Sequence, residues 1–283
     1  MKDLINGAAG FRDFADFVIL SDKNPFDTNI LKKNGVIFCK TDFLPFLFKN
    51  IQFSARKYVL ITHWSDYHID QSKFLSKPKC IVKWYASAAA YKHHDLIPIP
   101  VGFGIHFLDW PNYNKELEKW YIDNVNRLRS VKKDTLTVYC NYTIDNLRPP
   151  RHDVMSAMQA NNAICYTPKS KNDVLKEYDY MKLPYKEYCE DMARFKFVAC
   201  PPGNGIDSHR IWEALYMGCI PIVIKNLINE HLDLPILRVN KYSEVTSKLL
   251  FDYLEFYKTH DFNYDQAQLS YWINKILENL KNS

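Results

Sequence analysis

Residues 197–224 read FVACPPGNGIDSHRIWEALYMGCIPIVI, an apolar run, a Pro/Gly loop, a helical stretch opened by Asp207 or Ser208, and a second apolar run. This is the order of a βαβ unit. Such units bind ligands outside the carboxyl ends of their strands, where a glycine loop lets backbone N–H groups at a helix N-terminus approach a phosphate. Gly203 and Gly205, flanking Asn204, leave room for that approach. His209 and Arg210 fall in the first helical turn, where positive side chains oppose the helix dipole unless an anion is bound there. Glu213 lies one turn beyond Arg210 on the same face, placed to accept hydrogen bonds from ribose hydroxyls. Together these residue types fit a nucleoside diphosphate. Taken one residue at a time, the same stretch also reads as a plain turn and a surface i, i+3 pair, with Trp212, Ala214, Leu215 and Met217 as core contacts. It matches neither G-x-G-x-x-G nor a Walker loop, which speaks against a dinucleotide dehydrogenase or a P-loop ATPase.

A second group of reactive side chains follows the apolar run at 58–62: His63, Trp64, Ser65, Asp66, Tyr67, His68, Ile69 and Asp70. Several proton acceptors thus stand at the carboxyl end of an expected strand. Asp66 also reads as a helix N-cap or turn residue, and His63 as a core histidine; Trp64 and Tyr67 have the faces to stack on a sugar or to pack. His93 and His94 are adjacent, and neighbouring loop side chains seldom converge on one ion.

The elements that position these residues alternate along the chain, which predicts parallel sheets covered by helices. Strands are expected at 17–20, 35–39, 58–62, 81–85 and 97–101, then at 136–141, 163–166, 197–200, 219–224 and 235–239. Helices are expected at 114–129, 150–160, 185–194, 208–217, 243–258 and 264–281. The polar stretch 106–134 is read as the bridge between two lobes. At 283 residues, two lobes of ordinary size fit the length. The composition, 47% apolar and 24% charged, is that of a folded protein, and a net charge of +5 without like-charge runs argues against nucleic acid as partner. Seven cysteines without a C-x-x-C pair fit reduced thiols. The N-terminal residues lack the apolar core of a signal peptide, and no stretch approaches a membrane span, so a cytoplasmic protein is expected. In that setting the Asn141-Tyr142-Thr143 triplet is a chance match to a glycosylation acceptor.

The run PPGNGIDSHRIWEALYMGCIPIV resembles the nucleotide-sugar-binding signature of exostosin-like glycosyltransferases, a family with versions encoded by bacteria and by large algal viruses. More loosely, YVLITHWSDYHI, KWYASAAAYKHHDLIPIPVGF and YCNYTIDNLRPPRHDV resemble strand-loop segments of the same enzymes, so the likeness runs from about residue 55 to 240. It implies an α/β protein of GT-B architecture, with two Rossmann-like lobes whose parallel sheets face a central cleft. Residues 1–115 would form the acceptor-side lobe and 116–240 the nucleotide-sugar lobe, with helices in 241–283 packing on or crossing back to the first. The implied donor-binding set is Gly203, Asn204, Gly205, Asp207, His209, Arg210 and Glu213. The implied reaction moves a sugar, best matched by xylose, from a UDP-sugar to a hydroxyl of a glycan acceptor, with inversion; if the protein is viral, its place is the host cytoplasm.

One departure stands out. Pro202 occupies a position where many relatives carry Arg, which leaves Arg210 with more of the phosphate charge, aided by Arg148, Arg151 or Lys169 from neighbouring loops. The chain contains no Asp-x-Asp, so no metal and no cofactor are expected, and leaving-group charge falls to Arg210 and helix-terminal N–H groups. An inverting transfer also needs a general base for the acceptor hydroxyl. Asp66 is the first choice and His63 the second, followed by Asp70 and Asp42. Two other classes compete. A glycan-binding module would have no use for the 203–210 loop, and an NAD-dependent oxidoreductase is hinted at only by the GAAGF run at 7–11.

Overall fold

The computed structural model describes residues 3–104, 115–142, 151, 153–168 and 183–281. The chain divides into two compact units. One comprises Asp3–Gly102, Gly205–Asp207 and Asp265–Ser283, the other Phe103–Asn204 and Ser208–Tyr264.

The first unit is built on a five-stranded sheet, order β1-β2-β3-β4-β5, with every neighbouring pair parallel. Its strands are β1 (Phe17–Ile19), β2 (Gly35–Lys40), β3 (Tyr58–His63), β4 (Ile81–Ala86) and β5 (Leu96–Pro98). All six residues of β3 are buried, as expected of a central strand covered on both faces. Each buried aliphatic side chain there contributes about 1.5–3 kcal/mol by leaving water. Helices α1 (Ala8–Phe14), α2 (Leu44–Ile51) and α3 (Gln71–Leu75) come from its own run of sequence, and α9 (Leu269–Lys281) from the C-terminus. Gly10 lets α1 close on α9, because a Cβ there would collide with the side chain of Leu269. The core gathers around Trp84, whose ring meets Phe48 edge-on and stacks on Phe74 and whose Nε1 donates to Thr62 Oγ1 at 2.8 Å.

The second unit carries another five-stranded sheet, order β10-β9-β8-β6-β7, again parallel throughout. Here the strands are β6 (Asp134–Tyr139), β7 (Ile164–Tyr166), β8 (Phe195–Ala199), β9 (Ile220–Ile224) and β10 (Leu237–Val239). Its helices are α4 (Lys115–Ser130), α5 (Asp153–Gln159), α6 (Tyr185–Met192), α7 (His209–Tyr216) and α8 (Ser247–Thr259). α7 ends where Gly218 takes φ 74°. Gly218 N–H then donates to Leu215 O and Cys219 N–H to Ala214 O, the paired bonds of a Schellman stop.

Two parallel α/β sheets are therefore present, as expected. Every expected strand appears, with ends shifted by up to three residues. The fifth stops at Pro98, short of its expected end, as the chain leaves the sheet: Val101 N–H donates instead to Asp207 Oδ2 at 2.9 Å. The sequence reading put the change of lobe within 106–134, whereas the units part at Gly102/Phe103. Phe103 belongs with the second unit because its ring stacks on Tyr121, 4.9 Å between centroids, and meets Tyr216 edge-on. Of the two C-terminal helices, α8 stays with the second unit and α9 joins the first.

The hint of a dinucleotide loop fails on this fold. GAAGF forms the start of α1, ahead of β1, and no strand among the described elements feeds it. No helix among the described residues is long and apolar enough to cross a membrane. Asn141 is buried and its Nδ2 donates to Tyr139 Oη at 3.0 Å, so this asparagine is not presented to solvent.

Candidate active site

α7 begins directly after the glycine loop, and its first turn contains no acid. Ser208 is the N-cap, yet its side chain does not cap the helix. Arg210, one residue into α7, is buried, 9% exposed, and its Nε has no hydrogen-bond partner among the described residues. Burial works against the guanidinium charge, but Tyr188, Cys200 and Glu213 around it outweigh that and raise its pKa above the ordinary value. Burial pushes the Tyr188 phenol well above its usual range, so at neutral pH Tyr188 is an uncharged hydrogen-bond partner. A buried cation at a helix N-terminus, with an unused donor, is poised for an anion.

Arg151 is the second cation of this region. It is 5% exposed, and its Nε donates to Pro202 O at 2.8 Å. A Cβ on Gly203 would stand 3.0 Å from its Nη2, so glycine is what allows the guanidinium to lie against the loop. Positive charge thus reaches the first glycine although Pro202 carries none. Arg148 and Lys169 lie outside the described residues. Asn204 is exposed, and the chain passes into the first unit at Gly205 and returns at Ser208. Asp207 fixes the loop by accepting from Val101 N–H, and the His209 ring packs on Gly104, where a Cβ would collide with it.

Glu213 differs from its sequence reading. Its carboxylate is 5% exposed and turned to tyrosines: Tyr185 Oη donates to Oε1 at 3.2 Å and Tyr188 Oη to Oε2 at 3.0 Å. The backbone N–H of Gly104 adds a third bond. The carboxylate is thereby a structural anchor beside Arg210 and not an open ribose receptor. Burial raises its pKa, with Arg210 the largest opposing influence.

Two consequences are measurable. Glu213→Ala strips the tyrosines of their acceptor and leaves Arg210 without its anion, so a loss of about 3 kcal/mol of stability is expected in thermal melts without ligand. Glu213→Gln keeps the shape and one acceptor oxygen, puts an amide donor where the other oxygen stood, and cannot titrate. Because the folded pKa is raised, the carboxyl group's favourable contribution is complete below its ordinary value of 4.5 and is lost as pH rises through the folded value. As pH rises above the ordinary value of 4.5, the wild-type melting temperature should therefore fall relative to Glu213→Gln. A constant difference would show that Glu213 does not titrate in the folded state.

In the first unit, the two leading candidates for the base are separated. His63 is 1% exposed, its Nδ1 accepts from Trp64 N–H at 2.8 Å, and its ring lies 6.1 Å from that of Phe11. It is a core residue. Asp66 is exposed, and its Oδ1 lies 3.9 Å from where a Cβ on Gly205 would stand. Asp70 is occupied as the N-cap of α3, accepting from Lys73 N–H at 2.8 Å, and Asp42 pairs with Lys40 at 3.5 Å.

His93 and His94 stand with their rings stacked, 4.2 Å between centroids. With Asp95 they bring three donor atoms within 4.8 Å of one another. Their surroundings already serve other bonds: His93 Nδ1 accepts from Asp95 N–H, and Lys83 Nζ holds Asp95 Oδ1 at 2.6 Å. An ammonium on the carboxylate opposes a divalent cation there.

Fold and site together describe a two-unit α/β protein with a glycine loop and a buried arginine at a helix start. Residues 143–248 match the Exostosin GT47 domain, a stretch that takes in the glycine loop and α7 and extends into α8. Among solved structures, the chain is similar to HepE of Anabaena, crystallised with UDP-glucose. That likeness has 13% identity and a TM-score of 0.41 over 87% of this chain and 77% of that one. A UDP-forming α,α-trehalose-phosphate synthase from Burkholderia vietnamiensis is similar at 10% identity and a TM-score of 0.38, covering 87% and 70% respectively.

Proposed function

We propose that this protein is a glycosyltransferase that takes a sugar from a UDP-sugar and passes it to a hydroxyl of a glycan acceptor. The observation that carries the reading is Arg210, a buried cation with a donor left unused among the described residues, in the first turn of the helix that follows the glycine loop, inside the segment that matches the Exostosin GT47 domain. The N–H groups opening α7, with Arg210 and Arg151, hold the diphosphate. As the glycosidic bond to the diphosphate breaks, negative charge grows on the leaving oxygen, and these fixed positive groups stabilise it. Asp66 takes the proton of the acceptor hydroxyl, whose oxygen attacks the anomeric carbon from the opposite side, so the product is inverted. Xylose is the preferred donor sugar, on the resemblance of the 201–223 run. We include metal independence in the proposal, because Arg210 and Arg151 supply the charge that an Asp-x-Asp metal would supply.

The test is UDP-sugar turnover. UDP-xylose and UDP-glucose are incubated with the protein and free UDP is measured, in the presence of EDTA and with Mn²⁺ added back. Turnover that survives EDTA is expected. Absence of UDP release from every UDP-sugar would overturn the transferase reading, and EDTA-sensitive activity restored by Mn²⁺ would overturn metal independence.

A further inference from the structure

Tyr185 and Tyr188 are three residues apart on α6, so their rings leave the same face of the helix, and both hydroxyls reach the buried carboxylate of Glu213 on α7. The two phenols do different things there. Tyr185 Oη donates to Oε1 at 3.2 Å and Tyr188 Oη to Oε2 at 3.0 Å, and the Tyr188 hydroxyl also takes a hydrogen bond from the Arg210 guanidinium. A terminal Nη makes that bond, since Arg210 Nε has no partner among the described residues.

A tyrosine hydroxyl has one proton to give and lone pairs to accept with, an ionised carboxylate only accepts, and a guanidinium only donates. The directions are therefore fixed at both ends: the proton of Tyr188 goes to Glu213, and a lone pair receives Arg210. Burial, with Glu213 beside it, keeps that proton on the phenol. The mount is firm as well. Tyr188 is buried, and its ring lies 6.4 Å from that of Tyr139 and 5.9 Å from that of Tyr185 between centroids. Arginine reaches its partners through a long stem of rotatable bonds and ends in a planar fork, so a hold on one Nη restricts where all the other donors lie.

Resting on the reading of Arg210 as a contact of the donor diphosphate, we propose that Tyr188 is a positioning residue for donor binding: its hydroxyl holds one Nη of Arg210 and leaves Nε and the remaining donors for the diphosphate. Tyr188 itself does not touch the donor. It acts by ordering the guanidinium before the ligand arrives, which removes an ordering cost from binding. Tyr185 spends its hydroxyl on the same carboxylate and serves as the matched comparison, because losing either phenol deprives Glu213 of one donor.

The experiment measures UDP affinity by calorimetry, with melting curves of the unliganded proteins, for wild type, Tyr188→Phe, Tyr185→Phe, Arg210→Ala and the double variant Tyr188→Phe/Arg210→Ala. Phenylalanine keeps each ring in its packing and removes one oxygen, so both single variants should fold with similarly lowered melting temperatures. UDP binding is where they part. Tyr188→Phe is expected to bind UDP about tenfold more weakly, the size of one hydrogen bond to a charged group, and Tyr185→Phe within about twofold of wild type. In the Arg210→Ala background the loss of the Tyr188 hydroxyl should change UDP affinity by less than about twofold, because the residue it positions is gone. UDP affinity of Tyr188→Phe within about twofold of wild type would overturn the proposal. Equal weakening by Tyr185→Phe would overturn it too, assigning the effect to the shared carboxylate and the fold, as would a tenfold effect that persists without Arg210. If Arg210→Ala loses UDP binding and Tyr188→Phe does not, the donor reading stands and the positioning role fails; if Arg210→Ala binds UDP as wild type does, or wild type binds none, both fail.

Discussion

Replacing Asp66 by Asn is expected to lower sugar transfer by about 10² to 10⁴-fold while UDP affinity stays at the wild-type level. The substitution keeps the shape of the side chain and much of its hydrogen bonding and removes only the capacity to take a proton. Asp66 is the one of four acids and bases considered that is both exposed and beside the loop: its Oδ1 lies 3.9 Å from the position of a Gly205 Cβ. His63 is enclosed and accepts a backbone N–H, Asp70 caps α3, and Asp42 pairs with Lys40. His63→Ala is the informative partner variant. It deletes a buried ring against Phe11 and the acceptor that holds Trp64, so its main effect should be a lower melting temperature. Transfer is followed with a radiolabelled nucleotide sugar and UDP affinity by calorimetry. Near wild-type transfer by Asp66→Asn would remove Asp66 from the mechanism, and a folded but inactive His63→Ala would return the role to His63.

The strands and α7 were readable in the sequence because their signals are local. The buried strand Tyr58–His63 is an uninterrupted apolar run, and α7 lies between a Pro/Gly loop and Gly218, each of which punctuates structure through its own backbone. Gly203 and Gly205 were likewise visible as places where a backbone or a charge must come close. Long-range contacts were not visible. Nothing near Glu213 announces that Tyr185 and Tyr188 donate to its carboxylate from α6, so an i, i+3 pattern shared with Arg210 read as an open ligand site. In sequence Arg151 is one of three interchangeable basic residues; its place beside the loop is set by the long-range bond from its guanidinium to the carbonyl of Pro202. The burial of His63 and exposure of Asp66 depend on the left-handed turn at Trp64, a conformation that residue type argues against and only the fold around it can impose. The same holds for His93, His94 and Asp95, whose convergence depends on a turn in which Asp95 N–H donates to His93 Nδ1 and Leu96 N–H to His93 O.

Arg210→Ala is expected to abolish most of the thermal stabilisation by UDP. Truncating one member of a buried, charge-assisted contact costs about 2–5 kcal/mol, and each 1.4 kcal/mol is about tenfold in affinity. UDP present at about 100 times its dissociation constant stabilises the wild type by roughly 2.7 kcal/mol. If the variant binds about 100-fold more weakly, the same UDP concentration equals its dissociation constant, and the stabilisation shrinks to about 0.4 kcal/mol. The comparison must be made within each protein, with and without UDP, because Arg210 also balances Glu213. Without the guanidinium, that carboxyl loses the largest influence opposing its burial, and it favours the protonated form more strongly. Protonation limits the structural penalty, so the variant should fold, at a lower melting temperature than wild type. Arg210→Lys separates charge from geometry: it restores a point charge but not the planar fork of donors, and an intermediate shift is expected. The N–H groups at the start of α7 remain in both variants and account for the residual binding. Differential scanning fluorimetry across a UDP titration reads all three proteins. A full wild-type shift in Arg210→Ala would mean that the diphosphate is held elsewhere, with Arg151 at the Gly203 loop the next residue to replace.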